Sequence, residues 1–201
     1  MSATLTDRRA HIERATLETR IVADLDLGGG AISAETGVPF LDHMLTALGK
    51  HGRLGLVVTC EGDAEVEPHH TVEDVGIVIG QALKQSLGDR RGIQRYGFAY
   101  APLDEALARV VVDCSGRPYL HYEVQMPEAV IGRDFSTTLV EEFWRSVAMN
   151  AGLTMHIDLL RARNAHHAAE AIFKAAALAI RDAVSPFGDP DAMPSTKGVL
   201  A

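Results

Sequence analysis

The chain predicts an α+β fold built from two similar half-domains packed about a pseudo-twofold axis, and three observations carry that prediction. A His-His-x-x-Glu segment occurs twice, as His69-His70-Thr71-Val72-Glu73 and as His166-His167-Ala168-Ala169-Glu170. Each opens an apolar run of helical period, and each is preceded by a short apolar strand: Leu54-Gly55-Leu56-Val57-Val58 in the first case, Leu153-Thr154-Met155-His156-Ile157 in the second. The chain has 201 residues, 47% of them hydrophobic, enough for one sizeable core shared by two halves. Two repeats are too few for a solenoid. The expected organisation is a single domain over residues 1–201, with repeats at about 10–92 and 93–187 and a tail at 188–201.

Taken in order, a charged leader gives way to a loosely alternating strand over residues 15–27, broken by Gly28-Gly29-Gly30 and expected to turn into a hairpin with residues 31–36. Pro39 starts a helix whose apolar positions Phe40, Met44, Leu45 and Leu48 follow the 3.6-residue period, with Gly49 and Gly52 at its close. Residues 54–60 form an apolar strand. A loop with Gly and acidic residues then leads into the first His-His helix, which runs through Val75, Val78, Ile79, Ala82 and Leu83 to Gly88. The second half repeats the order, with strands near residues 98–101, 106–114 and 119–124 and a helix over about 136–150. Counting back from the two apolar strands sets Asp42-His43-Met44 against Glu141-Glu142-Phe143.

Composition excludes some functions. A net charge of -8 and a pI near 5.5 argue against nucleic acid or a membrane surface as partner, because tracking phosphates needs a basic face. A small molecule is the better expectation. Cys60 and Cys114 lie in apolar strands without metal or redox spacing and read as reduced core residues of a cytoplasmic protein. The polar start of the chain reads as neither signal peptide nor anchor, and no stretch approaches the roughly 20 apolar residues of a membrane span.

Chemistry concentrates at the histidines. Of nine, four fall in the two pairs and His43 lies one helix earlier. In each segment the first histidine and the glutamate are four apart, on one helical face, so they can share an ion. The second histidine is rotated by about 100° and points to another ion. Two ions, with ligands drawn from both repeats or from a neighbouring subunit, follow from this geometry, and so does a homo-oligomer. Imidazole and carboxylate without thiolate suit manganese, iron, zinc or nickel. Arg95, Arg117 and Lys197 sit in turns rich in Gly and Ser, suited to a phosphate. Lys174, four residues after Glu170, lies on the metal-facing side of its helix and can reach an anionic substrate.

Six segments in order resemble the imidazoleglycerol-phosphate dehydratase family: Phe40-Leu41-Asp42-His43-Met44-Leu45, His69 through Asp74, Pro102-Leu103-Asp104-Glu105-Ala106, Ser115-Gly116-Arg117-Pro118-Tyr119, Asn164 through Ala175, and Ser195-Thr196-Lys197-Gly198-Val199-Leu200. The likeness spans nearly the whole chain, with no room for a fused phosphatase. It implies the fold of the second domain of ribosomal protein S5, duplicated. It also implies a hydro-lyase of histidine biosynthesis that converts D-erythro-imidazole-glycerol phosphate to imidazole-acetol phosphate, with two Mn2+ ions per chain holding the imidazole as imidazolate. The carried-over ligands are His43, His69, His70, Glu73, His166, His167 and Glu170. Glu18 corresponds to a substrate-contacting acid/base, and His51 sits near the substrate. Arg95, Arg117, Lys174, Ser195, Thr196 and Lys197 correspond to phosphate-binding positions. Many family members have a histidine ligand where this chain has Glu142, which a manganese ion also accepts. A 24-subunit shell with metals at subunit contacts is implied as well. Two rivals stand beside this reading: a binuclear metallohydrolase of a phosphorylated substrate, and a metal-stabilised assembly protein without catalysis.

Overall fold

Two four-stranded sheets with the same internal strand order accompany four helices in the computed structural model, which describes residues 8–62 and 67–200. The first half contains β1 (Arg9–Ala15), β2 (Thr19–Asp26), β3 (Ile32–Glu35), α1 (Pro39–Gly52), β4 (Gly55–Gly62) and α2 (Pro68–Leu87). The second contains β5 (Tyr96–Leu103), β6 (Ala106–Asp113), β7 (Tyr119–Glu123), a short ribbon of β8 (Val130–Ile131) and β9 (Phe135–Ser136), α3 (Thr138–Ala151), β10 (Thr154–Arg161) and α4 (Ala165–Val184). The sheets run β1-β2-β4-β3 and β5-β6-β10-β7, so the duplication read from the two His-His segments is present throughout the fold.

Each sheet buries one face. In β2, Ile21, Ala23 and Leu25 point inward while Arg20 and Asp24 point out; in β6, Ala106, Ala108, Val110 and Val112 point inward. The outward faces differ. That of the first sheet carries Glu13, Arg20, Asp24 and Glu35, whereas the second exposes Tyr96, Phe98, Tyr100 and Tyr119.

The expected hairpin between residues 15–27 and 31–36 does not form. The strand that ends at Asp26 pairs antiparallel with β1 and β4, and β3 pairs in parallel with β4 on its far side. A parallel neighbour needs a crossover, and α1 supplies it between β3 and β4, as α3 does between β7 and β10. The leader is also more ordered than expected. Arg9–Ala15 is an edge strand, with Ala10 buried and Ile12 packed against the core between outward-facing Arg9, His11 and Glu13. The acidic part of the loop before α2, residues 63–66, lies outside the described residues.

The helices exchange partners between halves: α1 packs on α4, and α2 on α3. Phe143, Trp144 and Phe173 stack at the centre with centroids 4.9 to 5.1 Å apart. The approach of α2 to α3 depends on missing side chains. A Cβ at Gly76 would stand 2.8 Å from the Ser146 Cβ, and one at Gly80 would stand 2.8 Å from the Val147 carbonyl oxygen. On the other side α4 lies against β5 at Gly97. Cys60 and Cys114 are both buried and form no disulfide, as expected of core residues, and burial raises the Cys114 thiol to about 12. Among the described residues no helix is long and apolar enough to cross a membrane.

Candidate metal centre

The crossed packing of α1 on α4 brings a ligand from one half to two from the other. His43 lies in the second turn of α1, one turn beyond Pro39 at the helix start. Beneath it Phe40 stacks on Phe135 at 4.8 Å and meets the His166 ring edge-on at 5.3 Å, which fixes the rotation of both helices. His166 and Glu170 are one turn apart at the start of α4. One Glu170 oxygen, Oε2, lies 3.3 Å from His43 Nε2 and 3.2 Å from His166 Nε2. The three ligand atoms all lie within 4.8 Å of one another, the one such group of three among the described residues.

The other oxygen of Glu170, Oε1, takes an ion pair from Lys174 Nζ at 2.7 Å. Partial burial pushes this carboxyl upward, but Lys174 and then His43 outweigh it, so the group sits below the usual carboxylate range and is ionised. The His51 imidazole, in the last turn of α1, is lowered by burial and then by Lys174. Two imidazoles and an ionised carboxylate that converge from two helices, with open coordination positions left over, fit a divalent manganese, iron or zinc ion.

The counterpart trio on α2 and α3 is His69, Glu73 and Glu142, and within one chain it does not close. His69 Nε2 is 3.9 Å from Glu73 Oε2, and Glu142 lies 4.0 Å from Arg145 Nε. The Glu73 side chain is 41% exposed against 15% for Glu170. A single substitution between the halves explains part of this: four residues after Glu170 stands Lys174, and four residues after Glu73 stands Ile77, which has no charge with which to hold a carboxylate.

Adjacent histidines diverge as the helical rotation requires. The ring planes of His69 and His70 are 89° apart, and those of His166 and His167 are 86° apart. His70 Nδ1 turns toward Glu18, 3.9 Å away on the turn between β1 and β2. His167 Nδ1 meets Glu105 Oε2 at 2.8 Å, on the equivalent turn between β5 and β6. That contact, first of all, draws the Glu105 carboxyl down to about 2 and pushes His167 up. Glu105 was not singled out as a site residue from the sequence, although a signal was there: Glu18 and Glu105 each stand immediately before the second strand of their half.

The expected phosphate-binding residues fall in two places. Arg95, with φ of 70°, grips Asp113 at 2.8 and 3.1 Å and donates from Nη1 to the Pro194 carbonyl at 2.8 Å. Arg117 Nη2 approaches the same Asp113 at 3.9 Å. The tail carrying Ser195, Thr196 and Lys197 is thereby tied to Arg95, and the Lys197 backbone N–H donates to Ser195 Oγ. Lys174 belongs instead to the His43 cluster. The Arg95 backbone N–H donates to Ala183 in the last turn of α4, whereas Lys174 lies in the middle of that helix. Asp113 is the second residue that the sequence left unremarked.

Residues 36–180 match the family model described as imidazoleglycerol-phosphate dehydratase. A relative of that name from Nitrosococcus oceani is 55% identical over 195 residues, covering 95% of this chain and 98% of its own. Another, from Aromatoleum aromaticum, is 54% identical, with 96% and 100% covered. Among solved structures, the imidazoleglycerol-phosphate dehydratase of Staphylococcus aureus superposes with a TM-score of 0.78 at 43% identity, over 89% of this chain and 99% of that one. The Pyrococcus furiosus enzyme superposes with a TM-score of 0.82 at 35% identity, over 94% and 100%. With its fold, its full-length likeness to these proteins and its matching family model, the chain belongs to the imidazoleglycerol-phosphate dehydratase family and is a hydro-lyase.

Proposed function

We propose that the chain removes water from D-erythro-imidazole-glycerol phosphate to give imidazole-acetol phosphate in histidine biosynthesis, in the cytoplasm, using two Mn2+ ions per chain. The observation that supports this most strongly is the His43, His166 and Glu170 cluster with Lys174 beside it, a cation site next to a side chain suited to an anionic substrate. His43, His166 and Glu170 would hold one ion. His69, His70, Glu73, His167 and Glu142 are proposed as the remaining ligands, completed across contacts between copies of the chain. When bound, the ions supply positive charge that favours the substrate ring as imidazolate, the electron source for expelling the side-chain hydroxyl.

The residues of the chain do the rest. Arg95, Arg117, Ser195, Thr196 and Lys197 of one copy, with Lys174 contributed from the His43 cluster of another, hold the phosphate by charge and hydrogen bonds, and His51 borders the substrate. Glu18, 53% exposed on its turn and 3.9 Å from His70, moves the proton at the substrate carbon. Assembly into a 24-subunit shell is part of the proposal. The exposed Tyr96, Phe98, Tyr100 and Tyr119 on one sheet face, and the unclosed ligand set on α2 and α3, both support burial against other copies.

Incubating the manganese-loaded protein with imidazole-glycerol phosphate and following ketone formation tests the assignment. Release of inorganic phosphate without ketone would instead identify a metallohydrolase. For Glu18→Gln we expect manganese content and assembly to survive while kcat falls by about 10² to 10⁴. A wild-type rate would remove Glu18 from the proton transfer.

A further inference from the structure

The duplicated turns before β2 and β6 each present a glutamate to the second histidine of a His-His pair, but they do so differently. At the first turn, Glu18 stands 3.9 Å from His70 Nδ1, beyond hydrogen-bond reach. At the second, Glu105 is bonded to His167 Nδ1 at 2.8 Å and is itself held: the backbone N–H groups of Arg163 and Asn164, on the connection between β10 and α4, donate to its Oε1 at 3.2 and 3.0 Å. The histidine is held from its own side too, because its backbone N–H donates to the Asn164 side chain that caps α4.

A carboxylate can only accept, so the Nδ1 of His167 must donate to it, and the unprotonated nitrogen of the neutral ring is then Nε2. From this geometry we infer that Glu105 is a positioning residue. It selects the tautomer of the neutral His167 ring and fixes the ring's orientation, so that Nε2 is the nitrogen left to serve as a ligand. The two halves have thereby divided a duplicated carboxylate between two tasks. Glu105 is committed to a ligand, and its mate Glu18 keeps its carboxylate for the substrate. This inference rests on the proposal that His167 binds metal, and the role it gives Glu105 is independent of which reaction follows.

The test uses manganese alone, with the full-length protein. In Glu105→Gln the amide oxygen can still accept from Arg163 and Asn164. The amide nitrogen, however, donates to Nδ1 and turns His167 into the Nε2–H tautomer, which cannot coordinate through that atom. We expect manganese affinity at one of two sites to fall about 10- to 100-fold, read by competition with a metal-sensitive dye, while the thermal midpoint stays close to wild type. The double variant with His167→Ala separates positioning from folding. If Glu105 acts through His167, adding Glu105→Gln to His167→Ala costs no further affinity; if it acts by shaping the β10–α4 connection, the two losses add. Additive losses, or wild-type affinity in Glu105→Gln, would overturn the inference. Absence of any manganese binding by the wild type would overturn it together with the proposed ligand set.

Discussion

His166→Ala is expected to lower kcat by about 10³ or more and to leave the protein with roughly one manganese per chain in place of the two proposed for the wild type. The physical reason is the single oxygen on which the cluster converges. Glu170 Oε2 is 3.3 Å from His43 and 3.2 Å from His166, so removing either ring leaves a carboxylate and one imidazole, too few donors to hold a divalent ion against water. The fold itself should survive. The His166 side chain is 44% exposed, and α4 is anchored by its buried alanines and by Ile172 and Phe173, so truncation opens no large cavity. Metal analysis alongside steady-state kinetics and a thermal melt checks all three statements. A variant with full metal content and undiminished turnover would take His166 out of the ligand set.

The second large effect is structural. Gly97→Ala is expected to destabilise the chain by about 3 kcal/mol or more, lowering the urea midpoint without touching a site residue. A Cβ at residue 97 would sit 1.9 Å from the Ala179 carbonyl oxygen and 2.7 Å from the Ala183 backbone nitrogen. Both are backbone atoms of α4, which cannot rotate aside as a side chain would, so the helix has to lift off β5. Since the same helix carries His166, His167, Glu170 and Lys174, the displacement should also weaken manganese binding. A midpoint within about 0.5 kcal/mol of wild type would mean that β5 and α4 tolerate a wider separation.

How much of this was legible beforehand depends on whether the determinant was local. The inward stripe of β2 and the buried face of α2, with Val75, Val78, Ile79, Ala82 and Leu83, are properties of a few consecutive turns or pleats, and their period appears directly in the sequence. The same holds for the divergence of His166 from His167. The partner of β3 was not legible. Ile-Ser-Ala-Glu carries no mark of which strand lies beside it, and the parallel pairing with β4 is set by the crossover through α1. The edge strand β1 resembles a charged leader in sequence because its outward residues are charged, although Ala10 and Ile12 alternate with them.

The sequence by itself determined the duplication, the family, and the residue types suited to cations and anions, because each of these is written in spacing along one helix or in the order of motifs. Only the tertiary structure decided which residues meet. It joined His43 to His166 and Glu170 across halves through the crossing of α1 and α4, left the His69, Glu73 and Glu142 set open, and set Glu105 on His167. Those contacts span 127 residues for His43 with Glu170 and 62 for Glu105 with His167. At such separations the meeting is fixed by how helices and sheets pack, and no local pattern along the chain encodes it.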